Sequence, residues 1–264
     1  MTRVLPLRLA AALVLLAGLL ALAPLPVPPP APAEIDTLRA VARSVVDATN
    51  RTRRERGRSP VAAESTLTRI ACAHTHDMLT RRFFDHVNPD GLGPARRVAR
   101  RHRTLVGGVG ENLLEREGPR PQRAAPLAAE ILAQWMDSPP HRETLLVPAF
   151  THVGVCVLQA DGLLRATQIF ADVRAYLDAP LPRTARPGAV HPVSIARTRA
   201  PDDLVARYDF WDPRREQRVT PPRIFADTLR LPDTTGTFRP RFYVLESDRY
   251  SIHPGPEVTV TAAP

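Results

Sequence analysis

Apolar residues recur at helical spacing in the first half of the chain and alternate as in strands in the second. From Asp36 to Arg56, Leu38, Val41, Ala42, Val45 and Val46 form one stripe, which predicts an amphipathic helix with Asp36 as its cap and Gly57 at its end. From about Ser65 the residues Leu67, Ile70, Ala71, His74 and Met78 share a face, predicting a second helix that runs to Phe83 and Phe84 and delivers His86 to its end. The stretch "HVNPDGLGP" is dense in turn formers, and Pro94 suits the first turn of a helix carrying "ARRVARRHR". The glycines of "LVGGVGENLL" are expected to interrupt regular structure. A helix opening at Pro126 places Leu127, Ala128, Ile131, Leu132 and Trp135 on one side, and Pro139 and Pro140 are expected to stop it and re-aim the chain at His141.

Strand character begins after that break. "HVGVCVLQADGLLRATQIFADV" predicts two antiparallel strands around an Ala-Asp-Gly turn, with Val153, Val155 and Val157 on one face. A proline- and arginine-rich linker follows. Beyond it "HPVSIART", "DLVARYDFW", "RIFADTLRL", "RPRFYVLES" and "EVTVTA" are short strand candidates divided by turns. The expected fold class is α+β, with helices layered on a sheet and a small all-β, sandwich-like domain after it. The expected boundaries are 1–33 for a signal peptide or N-terminal anchor, 34–178 for the layered domain, 179–190 for the linker and 191–264 for the β-rich accessory domain.

Composition adds location. The opening "MTRVLPLRLAAALVLLAGLLALAPLPVPPPAPAE" joins early arginines to an apolar run and a small-residue tail, the pattern of an export signal. The 264 residues carry 36 basic side chains, all arginine, against 27 acids, a net charge of +9. Anionic partners fit this balance, but no zinc-finger spacing or aromatic-basic motif accompanies it, so a nucleic-acid partner is not expected. Cys72 and Cys156 are the only cysteines; in an oxidising compartment they could pair, and two buried thiols are the alternative.

Four separated stretches, "FFDHVNPDG", "GENLL", "WMDSPPHRETLLVPAFTHVGV" and "ATQIFA", occur in the order found in the CAP superfamily, the SCP-like extracellular domain, and resemble its bacterial branch. The resemblance implies an α-β-α sandwich, secretion, and a cavity lined in its fullest form by two histidines and two acids. The histidines fall on His86 and His141 and one acid on Glu111. Ser138 stands at the place of the second acid, and Pro140 where glycine is common, so the tetrad is incomplete and the turn before His141 stiffer.

Two imidazoles and a carboxylate are a plausible facial set for zinc or another divalent cation, so His86, Glu111 and His141 are candidate metal ligands within a binding cavity that also includes Ser138. The same residues could instead satisfy buried polar groups. A metal-dependent or serine-type hydrolase is the alternative to a binding protein, with Ser138 as nucleophile. However, Ser138 just before two prolines suits a helix cap, and no nucleophile-elbow or His-Glu-x-x-His pattern is present. Binding of a small apolar or anionic ligand, such as a lipid, or of an envelope component is therefore the expected role. A membrane enters only if the N-terminal segment is retained. The arginine cluster around His102 is expected to face solvent.

Overall fold

The computed structural model describes residues 32–119 and 122–262; residues 1–31 of the expected export signal lie outside them. Helix α1 spans Pro32–Glu55, so Asp36 falls inside the helix rather than at its cap, and Leu38, Val41, Val45 and Ala48 form its buried stripe. Strand β1 is Ala62–Ala63 and helix α2 is Ser65–Arg81. Glu64 caps α2 by accepting from the amides of Thr66 and Leu67 at 2.9 and 2.5 Å, satisfying donors that the first helical turn leaves over. The helix ends before Phe83, because Arg82 adopts a left-handed conformation at φ 55°. Helix α3, Pro94–Arg101, starts on its proline as expected.

Strand β2, Leu105–Glu117, replaces the expected interruption: the glycine-rich stretch is a thirteen-residue strand. Its glycines answer close packing. A side chain at Gly110 would meet the Phe150 ring at 2.7 Å, and one at Gly107 would run into the carbonyl of Asp172 on the neighbouring strand. Helix α4, Ala124–Asp137, is followed directly by α5, Pro139–Leu146. The two prolines thus open a helix as well as closing one, because at its first positions the missing N–H has no intrahelical partner to lose.

Strands β3, His152–Ala160, and β4, Leu163–Leu177, form the expected hairpin, paired antiparallel from Ala160↔Leu163. The two-residue loop has Asp161 at φ 51° and Gly162 at φ 77°, the mirror-image turn that matches strand twist. The sheet runs β1-β3-β4-β2. Val153, Val155 and Val157 pack on one face with α1, α4 and α5, while Cys156, Ile169 and Ala171 pack on the other with α2 and α3. This is an α-β-α core. The Cys72 and Cys156 sulfurs form a disulfide that ties α2 to β3. Gly154 allows the same approach, since a side chain there would sit 2.3 Å from the backbone of Leu67 and Thr68.

The remaining strands are β5 (Thr184–Ala185), β6 (Val190–Pro192), β7 (Ile195–Thr198), β8 (Leu204–Asp212), β9 (Gln217–Arg218), β10 (Arg223–Ile224), β11 (Thr228–Arg230), β12 (Gly236–Glu246), β13 (Arg249–Pro254) and β14 (Val258–Val260). Seven of them build a second sheet, β10-β8-β12-β14-β5 with β9 and β13 at its margins; β6 pairs β11, and β7 extends the first sheet by pairing the end of β4. The 179–190 segment expected to be a linker is partly core, with Leu181 fully buried and β5 paired to β14. Val106, Ala175 and Leu177 of the first sheet share a hydrophobic cluster with Phe210, Phe242 and Val258, so the accessory region packs directly onto the layered core.

Arg103 crosses this junction. Its guanidinium donates to the carbonyls of Leu181, Pro182 and Glu257, and burial, with Arg183 nearby, lowers its pKa to about 10.

Candidate functional site

The left-handed Arg82 at the end of α2 sends the chain into the 82–93 loop, which carries His86 outward. Asn88 shapes the loop: its side-chain oxygen accepts from the amides of Asp90 and Leu92 at 3.2 and 2.9 Å, and Gly91 takes φ 72° in the turn. From the helix beneath, buried His74 donates through Nε2 to the carbonyl of Asp85 at 3.0 Å. Burial, reinforced by Arg97, lowers the His74 pKa, which favours the neutral ring that this bond requires.

Glu111 lies in the middle of β2 with its carboxylate buried. The structure joins two of the expected site residues directly: His86 Nδ1 lies 2.9 Å from Glu111 Oε1. The second carboxylate oxygen accepts from Arg97 Nη2 at 2.5 Å. Arg97 Nη1 donates to the carbonyls of His86 and Leu92 at 2.6 and 2.7 Å, so one guanidinium from α3 holds the loop and the carboxylate together. The arginine cluster is therefore not uniformly solvated, since Arg97 and His102 are both buried.

The imidazole of His86 is about half exposed. Its hydrogen bond to Glu111 raises its pKa against the opposing effect of burial, with the carboxylate charge adding to the rise. His141, in the first turn of α5, is shifted the other way, by burial and then by the positive charge of His86. The two rings are therefore shifted in opposite directions, one biased toward the cation and the other toward the neutral form. Asn112 fixes the backbone here by donating to the carbonyl of His141 at 3.2 Å and to Gln168 at 3.3 Å, and Gln168 in turn donates to Thr49 on α1.

Ser138 joins α4 to α5 through its backbone, its N–H bonding Gln134 at 3.2 Å and its carbonyl accepting from Arg142 at 2.9 Å. Its hydroxyl makes no capping hydrogen bond, so it is a cap by position and not by side chain. Among the described residues it makes no hydrogen bond to His141 or Glu111, the contact that a nucleophile and its base require.

A divalent ion does not fit this arrangement as it stands. Both oxygens of Glu111 are committed, one of them to a permanently charged guanidinium, and among the described residues no group of three His, Cys, Asp or Glu side chains is placed to hold a metal.

The sequence model of the Cysteine-rich secretory protein family, CAP, matches residues 46–170. These residues contain every motif that builds the site, and they form a CAP-like domain of the bacterial kind. Over 124 residues the chain is 29% identical to the uncharacterized protein YkwD of Bacillus subtilis (strain 168), covering 47% of this chain and 45% of that one. It thus spans a little under half the length of that relative. Among solved structures, an extracellular protein containing a SCP domain from Bacillus anthracis str. Ames is 25% identical over 55% of this chain and 45% of its own, with a TM-score of 0.44. An outer surface protein from Borrelia burgdorferi is 17% identical over 53% of this chain and 97% of its own, with a TM-score of 0.45.

Proposed function

We propose that this protein acts outside the cytoplasm, secreted or in the cell envelope, as a binding protein. In this reading the CAP-like domain offers the cluster of His86, Arg97, Glu111 and His141 to an anionic group on an extracellular or envelope ligand. One observation carries the proposal: the single buried carboxylate is bonded by two cationic groups, Arg97 and a His86 whose pKa is raised. With His86 protonated, the cluster holds one more positive charge than negative. The exposed imidazole then presents its free Nε2–H to solvent, a charge-assisted donor for a phosphate or carboxylate oxygen. Exposed Phe84 and Val87 beside it supply apolar surface for the body of such a ligand. Export agrees with the family's description as secretory and with a disulfide in the domain core.

Calorimetric titration with inorganic phosphate, and with glycerol phosphate as a larger probe, tests this reading. Binding is expected at pH 6 and weakens as pH rises through the raised His86 pKa; His86→Ala is expected to weaken it by roughly tenfold. Binding that ignores both pH and His86→Ala, or no binding at all, would remove the proposal.

A further inference from the structure

The second sheet leaves one face bare around β8, β12 and β13. Its inner face sends Val205, Phe210, Phe242 and Val244 into the core. On the other face the register aligns two rows across the strands: Leu204, Leu245 and Tyr250 in one, and Ile224, Arg207, Tyr243 and Ile252 in the next. Of the seven large apolar side chains exposed among the described residues, Leu204, Ile224, Tyr250 and Ile252 all belong to these two rows. Exposed apolar groups scattered singly need no explanation, but four gathered in register on one sheet face mark an interface.

Charge selects the occupant. Arg207, in the middle of the patch, is exposed and makes no ion pair or hydrogen bond with the described residues. One row further along, Arg241 lies 4.5 Å over the Trp211 ring and grips buried Asp209, so its position is fixed in advance. The opposite margin is acidic. Asp202 and Asp203 precede Leu204, and Asp248, in the turn before Tyr250, has only the equally exposed Arg249 at 4.0 Å. A uniformly anionic surface, such as a membrane, would meet these carboxylates like against like. A second copy turned end for end meets them with arginines. A two-fold axis lying in the face, across the strands and between the two rows, sets Arg207 over the Asp202 to Leu204 end of the other copy and Arg241 toward its Asp248. The same rotation lays the Tyr243 row on the Leu245 row, apolar on apolar, the face-to-face packing that twisted sheets adopt.

We propose that this face is the interface of a two-fold homodimer, in which the outer rows of β8, β12 and β13 from two chains stack with their strands antiparallel and Arg207 of each chain faces Asp202 and Asp203 of the other. The face measures about 20 Å in each direction, which suits a reversible pair rather than a permanent one. The dimer rests on observations separate from the His86 cluster, and its failure would leave that reading untouched.

Sedimentation velocity of the full purified chain from about 1 to 200 μM tests it, since a reversible pair reveals itself by mass action. Wild type is expected to pass from monomer to dimer across the series. Ile224→Glu and Ile252→Glu, both at exposed positions, are each expected to raise the dissociation constant by roughly tenfold or more. Arg207→Glu is expected to weaken the dimer severalfold, and Asp202→Arg in the same chain to restore it, because the two-fold axis brings both changes to one contact. That charge swap keeps the proposal testable should a glutamate variant misfold. A chain that stays monomeric throughout, a dimer indifferent to both isoleucine variants, or a loss at Arg207→Glu that Asp202→Arg does not recover would overturn the assignment. So would a monomer that sediments with phosphatidylglycerol vesicles through the same two isoleucines, since the face would then belong to a membrane.

Discussion

Arg97 and Glu111 meet at 2.5 Å in the interior, with the arginine side chain 7% exposed and the glutamate 1%. They bring together α3 and the centre of β2, and the same guanidinium secures the loop that carries His86. A buried carboxylate left without its cation is costly, so Arg97→Ala is expected to destabilise the fold by about 3–5 kcal/mol. Arg97→Met combined with Glu111→Gln should recover part of that loss, because the stranded charge is removed as well. Urea unfolding of the three proteins checks both expectations.

The pH dependence follows from the sign of the His86 shift. A folded-state pKa raised above the unfolded value gives stability that is fully present below the unfolded value and is lost as pH rises through the folded one. His74 and His141 are lowered, so they act oppositely, costing stability as pH falls through the ordinary histidine range. The difference between wild type and His86→Ala isolates the first contribution: it should be largest in mild acid and shrink toward pH 8. Thermal melts across that range measure it, and a difference that grew with pH would contradict the raised pKa.

The Cys72–Cys156 bridge closes a separation of 84 residues. Loop entropy alone assigns such a bridge about 4–5 kcal/mol, so a Cys72→Ser, Cys156→Ser double variant should unfold at markedly lower denaturant than the oxidised protein. Reductant should lower the wild-type midpoint toward that of the variant and leave the variant unmoved.

Gly154→Ala should cost about 1–3 kcal/mol, because its new methyl would press into the backbone of Leu67 and Thr68 at 2.3 Å, where neither a rotamer nor a flexible tip can yield. The same substitution at Gly57 meets nothing within 4 Å and carries only the penalty of φ 67°. Comparing the two separates packing from backbone conformation.

Much of the layered core was legible in the sequence because its signals are local. The stripe of Leu38, Val41 and Val45, the alternation of Val153, Val155 and Val157, and the Asp161-Gly162 turn each declare themselves within a few residues. Strand β2 was not legible, because what justifies its glycines, Phe150 and Asp172, lies far along the chain. The candidate site divides in the same way. His86 and Glu111 were named from motifs and do meet. Arg97 was hidden in an arginine-rich helix that resembles a solvated face, and only its partner 14 residues away in sequence explains why it is buried. Pro139 and Pro140 read as a stop because proline blocks a helix interior; their use as the opening of α5 depends on how the next helix packs.

Commitment of Glu111 to Arg97 and His86 also bears on metals. Zinc content of protein purified in its presence should be the same for wild type and for a His86→Ala, His141→Ala double variant. One zinc per chain in wild type that disappears in the double variant would show that Glu111 exchanges Arg97 for a metal ion.

The most direct test of the account is the titration of His86 itself, followed by NMR of its imidazole with and without inorganic phosphate. The expected result is a midpoint above that of an unperturbed histidine that climbs further when phosphate is added, since an anion at the ring stabilises the charged form. A midpoint at or below the unperturbed value, unmoved by phosphate, would contradict a cationic binding site built on Glu111.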